Sequence, residues 1–285
     1  MSKVSYSQYS QWSHCPLQYK LNYVDKLGIY SSSIHLVFGT SMHEVIQEFL
    51  TIMYGTSKKA AMAIDLEDLL KTRLIANFNI EKNKMHGNPP CTQLELEEFF
   101  GDGRKILQFF VNRITKFYSK SGFELVGIEI PIDKEIKPGV MFVSFLDVVL
   151  RDKISDTIII VDIKTSTKGW SKYEKNDKIK SSQMLIYKLF YSEKYNVPLD
   201  KIKVEYHILK RKIDENAEFP IPRISKFVPA NGKPSVRKAW IGFSEFVDIV
   251  FDENGNRRTT GYHAKPSRLC DWCDFKKSGH CKEWI

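Results

Sequence analysis

Asp162 and Lys164 stand one residue apart at the end of the apolar run Ile158, Ile159, Ile160, Val161. Alternate residues of an extended chain share a face, so the carboxylate and the ammonium emerge side by side. Charges at the end of a buried strand are costly to desolvate unless they pair or hold a metal. A second carboxylate, Asp147, lies among apolar neighbours in the run from Val140 to Leu150. Antiparallel pairing of the two runs would bring Asp147 beside Asp162. Two carboxylates and a lysine form a site for a hard cation such as Mg²⁺ or Mn²⁺. With a substrate phosphate completing the shell, that is the usual arrangement for phosphoryl transfer. A lone Asp-x-Lys is more often a surface ion pair; the buried run before it and Asp147 argue against that here.

The C-terminus carries a second concentration of chemistry, Cys270, Cys273 and Cys281. Cys-x₂-Cys places two sulfurs on one tight turn, the bite used for Zn²⁺ and Fe–S centres. Two fourth ligands are open: His280, completing a Cys₃His zinc site, and Cys15, far upstream. Cys91 has no assignment from the sequence.

The elements that must position these groups are legible from periodicity. β-Branched residues make Ile158–Val161 a strand. Strands are also expected over residues 122–132, 140–150 and 201–209, where Val204, Tyr206 and Ile208 alternate. Turns fall at Pro138-Gly139 and at residues 152–156. Met42, Val45, Ile46, Phe49 and Leu50 form a helical stripe beside His43, with Thr40 or Ser41 as its cap. Residues 58–80 and 92–119 read as two further helices without visible chemistry. A helix over residues 178–195 places Gln183 and Tyr187 on one face. A short strand over 223–229 and a helix over 234–251 complete the order. The first residues hold a short aromatic helix capped by Ser5 or Ser7, broken at Pro16.

The loop after Lys164 is polar and basic, where a phosphate backbone would approach. Thr165, Ser166 and Lys168 are candidate phosphate donors, and Trp170 is either a base-stacking residue or a loop anchor. Glu129 either joins the metal site or is a structural acid. Lys210, Arg211 and Lys212 read as a basic patch.

The chain has 285 residues, 42% of them hydrophobic, and a formal net charge of +9. That composition supports a packed core and excludes global disorder. The positive excess suits a polyanionic partner. No apolar stretch approaches the ~20 residues of a membrane span, and no secretory h-region follows Met1. A soluble, intracellular protein, cytoplasmic or nucleoid-associated, is expected, where five cysteines point to metal rather than disulfides.

Taken in order, Cys15, Gly39-x₃-His43, Asp147, Asp162-x-Lys164, Gln183-x₃-Tyr187 and the three C-terminal cysteines resemble the PD-(D/E)XK nuclease superfamily. The branch they resemble is the RecB-like one, with the iron–sulfur exonucleases of CRISPR adaptation and the AddB-type recombination nucleases. The resemblance implies an α/β, restriction-endonuclease-like core: a central mixed β-sheet flanked by helices, with an N-terminal helical insertion and a C-terminal cysteine segment. It implies one nuclease domain over 1–285, with a helical part at 1–120, the catalytic core at 121–212 and the cysteine-bearing part at 213–285. His43, Asp147, Asp162 and the Ile163 carbonyl would hold Mg²⁺ or Mn²⁺. Lys164 would act on the attacking water, and Gln183 and Tyr187 would support the site. Cys15, Cys270, Cys273 and Cys281 would hold a [4Fe–4S] cluster, with Zn²⁺ as the alternative. The implied substrate is DNA, single-stranded or with free ends, in recombination or repair. With no Walker-type phosphate loop, helicase activity would come from another chain. Rival readings are a structure-specific endonuclease or RNA nuclease of this fold, and a non-catalytic nucleic-acid adaptor. Ser144, three residues before Asp147, departs from the glycine frequent there, and the last cysteine gap is long.

Overall fold

The computed structural model describes residues 1–28 and 30–283. Its centre is a six-stranded mixed sheet: β1 (Ser2–Val4), β2 (Phe123–Lys137), β3 (Val140–Asp152), β4 (Thr157–Ser166), β5 (Ile202–Lys210) and β6 (Ile224–Phe227). The spatial order is β1-β3-β4-β5-β6, and β2 pairs with β3. β3 runs antiparallel to β2 and β4, β4 runs parallel to β5, and β5 runs antiparallel to β6. The parallel β4–β5 pair needs a crossover. It is made by α8 (Lys172–Asn176) and α9 (Lys178–Tyr195).

Both faces of the sheet are covered, which is why Ile158 to Val161 are apolar without alternation. On one face Phe142, Val149, Ile160, Val204 and Ile208 pack with α9, α10 (Lys233–Val250) and α1 (Tyr6–His14). On the other, Val148, Leu150, Val161 and Ile163 pack with α3 (Ile34–Gly55) and α6 (Gln93–Asn112). The remaining α-helices among the described residues are α2 (Pro16–Tyr19), α4 (Lys58–Met62), α5 (Leu66–Lys84), α7 (Ile114–Phe117) and α11 (Asp274–Lys277). Among the described residues, no helix is long and apolar enough to cross a membrane.

Four local expectations are corrected. The helix bearing His43 is not capped at Thr40 or Ser41; it begins at Ile34. Ile34, Val37, Phe38 and Ser41 carry the buried stripe upstream, and the Ser41 hydroxyl donates to the Val37 carbonyl at 2.8 Å. The helix expected over 58–80 is two, because Asp65 caps a new start with bonds to the Glu67 and Asp68 N–H groups at 3.0 Å. The helix expected over 92–119 breaks at Arg113, where the short α7 begins. Finally, Arg211 and Lys212 are not a free basic patch. Arg211 is buried, 2.7 Å from Asp102, and Lys212 lies 2.8 Å from Glu98. β1 was not expected. Three residues are too few for a periodicity to show; pairing with β3 (Ser2 opposite Val140), the burial of Val4 and a bond from Arg257 to the Lys3 carbonyl hold them.

Candidate active site

β3 and β4 are paired from Asp152/Thr157 as far as Val148/Val161 and then separate. β4 continues to Ser166 against β5 alone. The separation begins at the next residue of each strand, Asp147 and Asp162. It frees the Ile163 N–H from the β3 ladder, and the Asp147 carboxylate takes it up, accepting through Oδ2 at 2.8 Å. The parting strands therefore leave an opening flanked by two carboxylates.

Asp162 is buried. Its Oδ1 accepts a long bond of 3.3 Å from Gln183 Nε2. The Lys164 ammonium lies 2.8 Å from Oδ2 as an ion pair, and among the described residues that buried oxygen has no other donor. An anionic oxygen left this way is satisfied well by a cation. Asp147 adds to the same demand. Burial and then the nearby Asp162 charge push its carboxyl well above the usual range, against the opposing pull of Lys164 and the Ile163 N–H. Burial works against the Lys164 charge, but Asp162 and Asp147 outweigh it and hold the ammonium protonated.

His43 reaches the opening from α3, with Nδ1 3.4 Å from Asp147 Oδ2. Burial, then the Lys164 charge, pushes the imidazole down to about 4, against the pull of Asp162. It is therefore neutral near pH 7, the form that ligates metal. Gly39, one turn earlier, faces the exit of β4 at ordinary contact distance. A β-carbon there would stand 3.4 Å from Thr165 Oγ1. Among the described residues, no three His, Cys, Asp or Glu side chains are already closed round a common point. The donor set of His43, Asp147, Asp162 and the Ile163 carbonyl nevertheless fits a hard cation, because it is built of oxygens and an imidazole, Lys164 is the one charge paired with Asp162 among the described residues, and Asp147 resists ionisation without a further cation.

On α9, Gln183 Nε2 donates to the Tyr187 hydroxyl at 3.0 Å as well as to Asp162. Ser144 Oγ donates to the same hydroxyl at 2.7 Å. A glycine at 144 would lack that donor, so the departure from the family pattern adds a strut to Tyr187. Burial, then the Asp162 charge, raises the Tyr187 phenol and keeps it protonated.

Two polar residues sit closer to the site than the sequence showed. Gln47, one turn after His43 on α3, donates to Glu129 Oε1 at 2.5 Å and to the Asp147 carbonyl at 3.3 Å. Glu129 has φ of +49° beside the register shift between Leu125 and Gly127 and adds negative charge near Asp147. Gln47 is spaced four residues from His43, a signal present in the sequence but not specific by itself. Of the loop residues, Thr165 is beside Gly39, Ser166 Oγ accepts the Gly169 N–H at 3.1 Å, and Lys168 is exposed. Trp170 packs on Tyr206 and Phe227, with ring centroids 4.7 and 5.8 Å away, which is anchor packing.

The cysteines separate by the same test. Cys15, Cys270, Cys273 and Cys281 line one small cavity of about 30 Å³ between α1 and the C-terminal segment. His280 is exposed and outside that lining. All five cysteines are free thiols. Burial and the neighbouring sulfurs of Cys15, Cys273 and Cys270 raise the Cys281 thiol. Cys91 lies apart, against the helical core. The two ends of the chain are also tied by Leu17 N–H to the His263 carbonyl (3.2 Å) and Lys265 Nζ to the Ser13 carbonyl (3.0 Å).

Comparison with known proteins gives the family and the fold. Residues 3–278 match the PD-(D/E)XK nuclease superfamily, and the chain belongs to that family. No curated relative matches it by sequence. Its fold is similar to the crystal structure of a protein from Eubacterium rectale named as a candidate exonuclease. The TM-score is 0.57 at 13% identity, covering 99% of this chain and 90% of that one.

Proposed function

We propose that this nuclease hydrolyses DNA phosphodiester bonds with Mg²⁺ or Mn²⁺, working from free ends or on single strands. The observation that carries the reading is the pair of carboxylates, Asp147 and the buried Asp162 with its Lys164 ion pair at 2.8 Å, brought together where β3 and β4 part. His43, Asp147, Asp162 and the Ile163 carbonyl are the residues that would hold the ion. When bound, it would polarise the scissile phosphate and lower the pKa of the attacking water. The chain's own groups do the rest. Lys164 stays protonated, orients that water and stabilises charge gathering on the phosphate. Gln183 fixes Asp162 Oδ1, and Tyr187, held by Ser144 and Gln183, packs the site against α9. The exonuclease name of the Eubacterium rectale protein is in keeping with action at ends.

The four cysteines gathered at one cavity support an Fe–S cluster, with zinc as the alternative, binding α1 to the C-terminal segment within one nuclease domain. Partners such as a helicase or a recombination protein are in keeping with the absence of a Walker-type loop.

The test is end-labelled single- and double-stranded DNA incubated with protein purified without oxygen, with Mn²⁺ or EDTA, beside Lys164→Ala. Mn²⁺-dependent shortening from one labelled end, absent in the variant, is expected. Internal cuts would move the reading to an endonuclease. Binding without cleavage by a folded, metal-loaded protein would favour the adaptor.

A further inference from the structure

A groove of about 690 Å³ runs from the candidate active site to the C-terminal cysteine segment. At one end it is lined by Lys164, Thr165 and Gln183; at the other by Leu269, Trp272 and Cys273. Its side is the polar face of α1, where Ser7, Ser10, Gln11 and His14 recur at helical spacing. None of its described lining residues is Asp or Glu. In a chain with 34 acidic residues, a wall without carboxylates suits a phosphate through its hydroxyls and amides, beside two ion-paired lysines, Lys164 with Asp162 and Lys180 with Glu174. Asp271 and Asp274 belong to the neighbouring segment but lie outside this wall.

The far end carries an unexplained feature. Trp272 is 80% exposed and Leu269 beside it 54%. An indole left in water has no packing role to account for it, unlike Trp170, which is packed against Tyr206 and Phe227. A flat aromatic at the end of an acid-free, phosphate-compatible groove matches a base lifted out of a stack. A duplex keeps its base faces covered; only a single strand offers them.

Resting on the nuclease reading above, we propose that this groove is the track for one unpaired nucleic-acid strand. Trp272 is its base-stacking platform, and the polar face of α1 takes the phosphates. The strand then enters the active site from the side of the cysteine segment.

The test is binding of fluorescein-labelled oligonucleotides of about 12 nucleotides, dT and rU, and of a blunt hairpin duplex. It uses the full-length, metal-loaded protein in buffer without added divalent cation. Trp272→Ala is expected to weaken dT binding about 5- to 150-fold, and Trp272→Phe to retain most of the affinity. Equal losses on dT and rU would place the preference in stacking; a larger loss on one would name the sugar. Because Trp272 stands between two cysteines, iron and zinc are measured in each variant. Ser7→Asp is the second arm. It sets a carboxylate in the groove while favouring the first turn of α1, so weaker binding there is not unfolding. Tyr173→Ala, exposed and off the groove, is the control expected to bind normally. Unchanged binding by both Trp272→Ala and Ser7→Asp, in a protein whose wild type cleaves DNA, would overturn the track and leave the nuclease standing. Equal binding and equal loss on the blunt duplex would also overturn it. A wild type that neither binds nor cleaves would remove both readings.

Discussion

Replacing Asp147 by asparagine is expected to abolish cleavage and, in the absence of metal, to stabilise the fold. The two effects share one cause. Asp147 is half-buried beside the buried Asp162, and desolvation and that charge raise its pKa more than Lys164 and the Ile163 N–H lower it. The amide keeps an oxygen able to accept the Ile163 N–H, now 2.8 Å from Oδ2. Lys164 keeps its partner Asp162 at 2.8 Å. What disappears is a charge that the folded state tolerates poorly. Single stabilising substitutions commonly give about 0.5–2 kcal/mol, here roughly 1–8 °C in Tm at ~2–4 °C per kcal/mol for a large domain. The pH dependence has a fixed sign. A carboxyl whose folded pKa is raised contributes stability fully present below its unfolded pKa near ~3.9, and that stability is lost as pH rises through the folded value. Wild type in EDTA should therefore lose stability relative to Asp147→Asn as pH climbs from about 4 towards 8. Thermal unfolding in EDTA across that range reads it directly, with a Mn²⁺ titration at pH 8 that should lift the wild type and leave the variant nearly unmoved. A variant less stable than wild type in EDTA at pH 8, or a gap that does not change with pH, would refute the account of strained carboxylates awaiting a cation.

The residues behind the candidate ligands should act through them. Gln47→Ala and Gln183→Ala are each expected to weaken Mn²⁺ affinity about 10- to 100-fold, read by the Mn²⁺ dependence of cleavage and of Tm. Asp102→Ala leaves the buried Arg211 guanidinium without its 2.7 Å partner and should cost about 3–5 kcal/mol, seen in urea unfolding, while the affinity for Mn²⁺ stays. Cys15→Ser should lower bound iron or zinc and Tm together, whereas Cys91→Ser, outside the cysteine cavity, should leave metal content unchanged.

The sequence by itself determined the parts governed by short-range periodicity. Asp162 and Lys164 had to share a face because a strand alternates, and Gln183 and Tyr187 had to share one because a helix turns in 3.6 residues. The β4–α9–β5 order and the boundaries of α9 followed from the same rule. The tertiary structure decided what depends on residues distant in the chain. Gln47 meets Asp147 across 100 residues, and Ser144 meets Tyr187 across 43. No local pattern announces either bond. β1 is a strand because β3 offers it an edge. Arg211 and Lys212 of the apparent basic patch became part of an ion-pair network once α6 brought Glu98 and Asp102 to them. Above all, the point where β3 and β4 part is a property of two strands together. Sequence placed a carboxylate on each strand; the parting leaves both facing an opening, with Lys164 paired to one of them.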